Sequence, residues 1–304
     1  MQYVNIPGTD MQVSRVCLGT MTFGSPVERT DAVRLVRYAL AAGGVNFIDT
    51  ANMYEGYNRT AGSAGGVAEE IVGEAVACRR ADYIVATKVG MKVGDAPEDE
   101  NTSPAAIREQ LRRSLARMKT DYVDIYYLHR YDANTEPHAI ARAMGAELKA
   151  GTVRAWGVSN YTAPQLAALL AAARDEGVPA PALCQPALSL LNTGALTELL
   201  PLCARENIGV VPYQILQGGM LTGKYRKGQP APEGSRLAEK PEWLKPFTDE
   251  TYEVIERCAA GAQAAGVTMT QYALRWALAQ PGVVSALVGV KRKAQIDEAV
   301  GAVE

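Results

Sequence analysis

Val45-Asn46-Phe47-Ile48-Asp49 is a short apolar run that ends on a carboxylate, and the same shape recurs twice further along the chain. Tyr83-Ile84-Val85-Ala86-Thr87-Lys88 ends on an ammonium, and Asp124-Ile125-Tyr126-Tyr127-Leu128-His129 ends on an imidazole. Short runs with little polar alternation read as strands buried on both faces, the habit of parallel sheets. Each places its polar group at the C-terminal end, and Tyr54 follows in the loop after the first. In a closed parallel barrel those ends converge on one face, where active sites are built.

Working outward, further strands are predicted at 16–18, 153–157, 182–185, 208–213 and 285–288. Amphipathic helical stretches separate them: Asp31–Ala42, Val67–Cys78, Ser103–Arg117, Pro137–Lys149, Ala163–Arg174, Thr197–Glu206, Asp249–Ala264 and Thr270–Ala279. Ser103-Pro104 offers an N-cap followed by proline at the first helical position, and Thr270 is expected to cap its helix. Gly43-Gly44, Gly151 and Gly177 follow helices where left-handed caps belong. Eight strand–helix alternations predict a single α/β domain over 1–304, a (β/α)8 TIM barrel. The opening Gln2–Val13 reads as a hairpin turning at Pro7-Gly8-Thr9-Asp10 and closing the bottom of the barrel. An open doubly wound sheet is the alternative, but no Gly-x-Gly-x-x-Gly follows a strand and there is no P-loop. Two segments break the rhythm: Glu55–Gly66, rich in small polar residues, and Tyr225–Asp249, with Pro230, Pro232, Pro241 and Pro246. Both are expected to lie as long loops over the C-terminal face.

The 304 residues carry a net charge of −2 and a pI near 5.9. That balance gives no reason to expect nucleic acid or an anionic membrane as partner. No apolar run approaches the roughly 20 residues of a membrane helix, and Met1–Asn5 does not read as a signal peptide. The five cysteines are scattered without a Cys-x-x-Cys pair, and there are only two histidines. Buried free thiols, a cytoplasmic setting and no metal site are expected.

The four polar residues sit in longer stretches that resemble the aldo-keto reductases. These are Phe47-Ile48-Asp49-Thr50-Ala51-Asn52-Met53-Tyr54, Ala86-Thr87-Lys88, Tyr127-Leu128-His129-Arg130-Tyr131-Asp132 and Trp156-Gly157-Val158-Ser159-Asn160. The likeness continues through Leu18–Gly24, Gly218-Gly219-Met220-Leu221-Thr222-Gly223-Lys224-Tyr225 and Ala273-Leu274-Arg275-Trp276, in order along nearly the whole chain. The resemblance implies a barrel that binds NADP(H) extended over its C-terminal face, without a Rossmann fold.

It also implies roles. Tyr54 would be the general acid. A free phenol has a pKa near 10, so Lys88 is expected to lower it, with Asp49 pairing Lys88 and His129 orienting the substrate carbonyl. Taken singly, Tyr54 reads as a loop aromatic, and Lys88 with Asp49 as a structural pair. Ser159, Asn160 and Gln185 would hold the nicotinamide carboxamide, Tyr213 would stack on its ring, and Gly19, Thr20 and Met21 would meet its ribose. The pyrophosphate would lie along Gln214 to Leu221, including Leu216 and Gly218, with Lys224 at the edge. Here many relatives have Ser-Pro-Leu, where this chain has Gln214-Ile215-Leu216. Gly289-Val290-Lys291-Arg292-Lys293 opens the last helix and combines three cations with a helix N-terminus, a setting for the 2′-phosphate of NADP. Gln295 and Glu298 look like adenosine contacts, while Ala299 stands where relatives often carry asparagine. His138 matches nothing and reads as a surface residue.

The implied reaction is reduction of an aldehyde or ketone to an alcohol. Tyr57, Asn58, Arg59, Arg130, Tyr131 and Trp243 are expected to line the mouth, a polar set that suits a sugar-type carbonyl. A second reading is a cofactor-binding regulatory subunit like the potassium-channel β subunits, which resemble this family; the absence of a long N-terminal extension argues against it. A third is reduction of a carbon–carbon double bond, against which His129 argues. Oligomeric state is not legible.

Overall fold

The structure is a computed structural model that describes residues 1–304 apart from Ala61, Lys245 and Pro246. Those three, which fall in the two irregular segments noted above, lie outside the described residues. Strands β1 (Tyr3–Asn5) and β2 (Gln12–Ser14) form the antiparallel hairpin, with Gly8 left-handed at its turn (φ 71°). Then come β3 (Val16–Gly19), α1 (Arg29–Gly43), β4 (Phe47–Asp49), α2 (Val67–Val76), β5 (Ile84–Val89), α3 (Pro104–Met118) and β6 (Val123–Leu128). The alternation continues with α4 (Pro137–Ala150), β7 (Val153–Ser159), α5 (Ala163–Asp175), β8 (Leu183–Gln185), α6 (Leu199–Arg205) and β9 (Gly209–Val210). A one-turn α7 (Arg236–Glu239), α8 (Asp249–Ala264), α9 (Met269–Leu278), β10 (Ala286–Gly289) and α10 (Lys293–Val300) complete the chain.

Strands β3 to β10 form one parallel sheet in the order β10-β3-β4-β5-β6-β7-β8-β9. The sheet curls round until its ends meet: Val210 N–H donates to Gly282, Val284 N–H to Val210 and Leu287 N–H to Pro212. The outcome is a (β/α)8 barrel whose helices succeed one another around the outside, α10 returning to pack on α1. Two apolar layers follow from the strand period of two. Outward residues such as Ile48, Val85, Tyr126 and Trp156 pack under the helices, while inward Phe47, Ile84, Tyr127 and Leu183 fill the interior. Ile6, Met11 and Val13 of the hairpin segment join the interior cluster beside Phe47 and Ile84, the first residues of their strands. The hairpin therefore seats on the N-terminal end, leaving the other end for chemistry.

Most caps follow the sequence: Ser103 accepts from Ala106 N–H, and Gly44, Gly151 and Gly177 are left-handed. The cap of α9 is corrected. Thr268 accepts from Gln271 N–H, with Gln271 reaching back, and Thr270 is buried inside the helix. The Thr268-x-x-Gln271 box satisfies two orphan amides, which a cap at Thr270 would not. All five cysteines are free, and four are buried. No described helix is long and apolar enough to cross a membrane. Among the described residues no group of metal-ligating side chains is placed to hold an ion.

Candidate active site

Asp49 is the last residue of β4, Lys88 sits next to the end of β5 and His129 follows β6, so neighbouring strands deliver them side by side. Tyr54 arrives from the loop, whose path is fixed by Tyr54 N–H on Ala51 and by Ala68 N–H, in the first turn of α2, on the Tyr54 carbonyl. Lys88 is fully buried. Its ammonium donates to Asp49 Oδ1 at 2.5 Å, to the Thr50 carbonyl at 2.9 Å and to the Tyr54 hydroxyl at 3.2 Å. An ammonium has three donors and no acceptor, so all three are used, two fixing the lysine and one aimed at the phenol. Asp49 Oδ2 accepts from Gln185 Nε2 at 2.8 Å, which leaves neither carboxylate oxygen unpaired.

Burial alone would pull the Lys88 ammonium down, but Asp49 and Tyr54 outweigh it and hold its pKa above the ordinary value. For Tyr54 the expectation from the sequence needs correcting. Lys88 does pull the phenol down, but burial pushes it up by more, with Asp49 adding to it, so the hydroxyl titrates above its ordinary value. The phenol is thus held protonated, as an acid must be. Burial, then the charges of Lys88 and Arg130, push His129 well below the usual histidine range, so its imidazole is neutral. The His129 ring meets the Tyr54 ring edge-on, with centroids 5.8 Å apart. Its Nδ1 is buried without a partner among the described residues.

The residues expected around a nicotinamide form the adjoining wall. Ser159 Oγ donates to the Gln185 carbonyl at 2.9 Å. Asn160 is left-handed (φ 58°), a conformation asparagine tolerates better than most residues. It donates to the His129 carbonyl at 2.8 Å and accepts from the Tyr213 hydroxyl at 2.5 Å, which sets the Tyr213 ring beside the tetrad. Thr20 donates both its amide and its hydroxyl to the Asp49 carbonyl at 3.0 Å. A side chain at Gly19 would strike Leu287 at 2.8 Å, and Met21 follows, half-buried.

Fit to a phosphate-bearing cofactor can be read from the next turn. Gln214, Gln217, Gly218 and Gly219 all have positive φ. A Cβ on Gly218 would lie 2.2 Å from Leu244, and one on Gly219 2.3 Å from Lys224, so a side chain at either position would have to push its neighbour aside. Lys224 is pulled below its ordinary value by burial, then by Lys291, Arg236 and Arg292. The repulsion that these three cations exert on Lys224 is what an anionic ligand would relieve. The donor set fits a dinucleotide phosphate.

The basic turn is less uniform than its sequence. Lys291 Nζ is bound to Glu239 Oε2 at 2.5 Å and to the Gly234 carbonyl at 3.1 Å, and Arg292 is exposed at the N-cap of α10. Lys293 turns away and stacks over Tyr38, 4.8 Å from the ring centre. Gln295 Oε1 accepts the Lys291 and Arg292 amides, capping its own helix, and Glu298 accepts from Thr268. Gly289 is exposed at the end of β10.

Of the residues expected at the mouth, Tyr57 packs edge-to-face on Trp243 at 5.3 Å, and the Arg236 guanidinium lies 5.0 and 5.2 Å from the two ring centres. Asn58 accepts from the Ser25 hydroxyl. Arg59 and Arg130 are not free in the way the sequence suggested. Arg59 donates to the Met53 and Lys92 carbonyls and faces Glu55, while Arg130 donates to the Gly90 carbonyl and to Glu100. Long loops leave carbonyls without helix or sheet partners, and guanidinium is the side chain able to satisfy several at once. Arg236 and Glu239, in the proline-rich segment, were passed over. The legible signal was Ser235, which caps their turn by accepting from Ala238 N–H.

The curled parallel barrel, the tetrad at its strand ends and the cationic edge together point to a reductase-type barrel. The model of the Aldo/keto reductase family matches residues 15–304, and the chain belongs to that family. It is 33% identical over 312 residues to a probable voltage-gated potassium channel subunit beta of Arabidopsis thaliana, covering 100% of this chain and 92% of that one. It is 31% identical over 311 residues to an uncharacterized oxidoreductase, YrpG, of Bacillus subtilis, covering 100% of this chain and 91% of the relative. Among solved structures, a glycerol dehydrogenase from Gluconobacter oxydans is similar with a TM-score of 0.82 at 29% identity, over 99% of this chain and 90% of that one.

Proposed function

We propose that this protein reduces a hydroxylated, sugar-type aldehyde or ketone to its alcohol, with NADPH as hydride source and Tyr54 as proton donor. The observation that carries this reading is Lys88, buried with its three donors on Asp49, Thr50 and Tyr54. A bound nicotinamide supplies the hydride. The neutral His129 offers one ring N–H to the substrate oxygen, beside the Tyr54 hydroxyl. As negative charge grows on that oxygen, Tyr54 gives up its proton, and the phenolate left behind faces the Lys88 ammonium. Asp49 keeps that ammonium in place, and burial keeps water away.

Ser159, Asn160, Gln185 and Tyr213 would hold the nicotinamide, with Gly19, Thr20 and Met21 at its ribose. The turn of Gln214, Leu216 and Gly218 with Lys224 would carry the pyrophosphate. Lys291 and Arg292 would take the 2′-phosphate, with Lys293 nearby, and Gln295 and Glu298 would stand at the adenosine. The name of the glycerol dehydrogenase supports a hydroxylated substrate. Tyr57 and Trp243 would roof it, and with Arg59 and Arg130 bound to loop carbonyls, small neutral polyol-like carbonyls fit better than large anionic ones. The potassium-channel relative keeps open a regulatory role. Yet the exposed large apolar side chains among the described residues are Tyr3, Tyr131 and Trp243, and the last stacks at the mouth on Tyr57.

The test is fluorescence titration with NADPH and NADH, for wild type and Lys291→Ala/Arg292→Ala. Losing two charge-assisted contacts should weaken NADPH binding about tenfold or more with NADH nearly unchanged. Equal wild-type affinity for both overturns the 2′-phosphate assignment, and binding of neither removes the reductase reading. Tyr54→Phe should bind cofactor normally and lose about 10²–10⁴ in kcat on glyceraldehyde.

A further inference from the structure

Lys291 is the cation that the proposed function gives to the 2′-phosphate, and here a carboxylate already sits on it. Glu239 Oε2 is 2.5 Å from Lys291 Nζ, and the two side chains are 27% and 30% exposed, so water screens the pair only in part. Glu239 comes from α7, far from Lys291 in sequence, and shares that single turn with Arg236, the residue stacked on Tyr57 and Trp243. Lys291 itself lies 5.1 Å from the Tyr57 ring centre. Three cations, Arg236, Lys291 and Arg292, lie close enough to act on a fourth, Lys224, and the Glu239 carboxylate acts on it in the opposite sense.

We propose that Glu239 is an internal competitor for the cofactor's 2′-phosphate on Lys291, and so sets how strongly the protein prefers NADPH to NADH. This rests on the 2′-phosphate reading above. The argument is one of exchange. An ammonium forms one close pair with an anion at a time in a given direction, so a phosphate reaching Lys291 must displace Glu239 and overcome its repulsion. A cofactor without the phosphate leaves the Glu239–Lys291 pair intact. Glu239 thus subtracts from NADPH affinity and not from NADH affinity. Because Glu239 and Arg236 share one helical turn, the exchange also shifts the stack on Tyr57, joining cofactor choice to the substrate mouth.

The test uses the purified protein, with NADPH, NADH and adenosine 2′-monophosphate as probes in equilibrium titrations. In Glu239→Gln the 2′-phosphorylated probes should bind about three- to tenfold tighter, the worth of a partly exposed ion pair, with NADH changed less than about twofold. Glu239→Asp, which keeps the charge on a shorter arm, should fall nearer wild type, and thermal melts of both variants confirm that the fold is retained. Unchanged or weaker NADPH binding in Glu239→Gln overturns the proposal, as does an equal gain for NADH. Lys291→Ala separates the two levels of the argument. If it leaves the NADPH-to-NADH ratio at the wild-type value, the 2′-phosphate reading itself fails. If it lowers the ratio while Glu239→Gln does not raise it, only the competitor assignment fails.

Discussion

Lys88 and Lys291 each face a carboxylate at 2.5 Å, yet the two pairs are opposites in how they are held. Lys88 and Asp49 project from adjacent strands, are 0% and 1% exposed, and have every remaining donor and acceptor matched by Thr50, Tyr54 and Gln185. Lys291 and Glu239 reach across from the turn before α10 and from the single turn of α7, keep contact with water, and hold one another across segments that no sheet fixes. A buried pair cannot change partners without stranding a charge in low dielectric, whereas a pair in contact with water can be exchanged at little cost. The first arrangement suits groups that must stay put through a reaction, and the second suits groups that must give way to a ligand.

The sharpest way to break this contrast is to remove one carboxylate from each pair. Asp49→Ala leaves the Lys88 ammonium buried and should cost about 3–5 kcal/mol in urea unfolding, while Glu239→Ala should cost about 1 kcal/mol or less. Equal costs would mean that the Lys291–Glu239 pair is as structural as the buried one.

A second distinction is made by acid. Unfolding restores His129 to about 6.5, so below that pH the unfolded chain binds a proton that the folded chain resists. Stability should therefore fall as pH drops below the histidine value, and His129→Asn should flatten that slope in urea midpoints measured from pH 7.5 to 5.5. An unchanged slope would show that the imidazole is not held neutral. The smallest effect belongs to the mouth. Arg236 is half-buried, and each of its cation–π contacts is worth about 0.5–1 kcal/mol or somewhat more, so Arg236→Ala should raise KM about two- to tenfold and leave kcat within about twofold. A fall in kcat instead would place Arg236 among the groups that act on the reacting atoms.

The same contrast explains what could be read without coordinates. Asp49, Lys88 and His129 were legible because strand period and strand end together fix where a side chain points, and the apolar runs reveal both. Their electrostatics were only half legible: Lys88 beside Tyr54 followed from position, but the upward push of burial on the phenol depends on the packed surroundings. Arg59, Arg130 and Gln295 look in sequence like groups waiting for a ligand. In the fold Arg59 and Arg130 answer loop carbonyls and Gln295 caps α10. Lys293 resolves onto Tyr38, a neighbour on α1 that no local pattern could announce. Glu239 was missed for the same reason, because its partner lies beyond α8, α9 and β10.

The barrel wall is thinnest at β9, two residues long, where closure onto β10 and the segment before it rests on a few hydrogen bonds from Val210, Val284 and Leu287. The glycine turn, the proline-rich loop, α8 and α9 all hang between these two staves. Length and shape can be altered there with the tetrad's own strands, β4, β5 and β6, left in their full pairing elsewhere on the circumference. A scaffold opened at that seam can vary the segments between β9 and β10 while the strand ends that carry Asp49, Lys88 and His129 stay as they are.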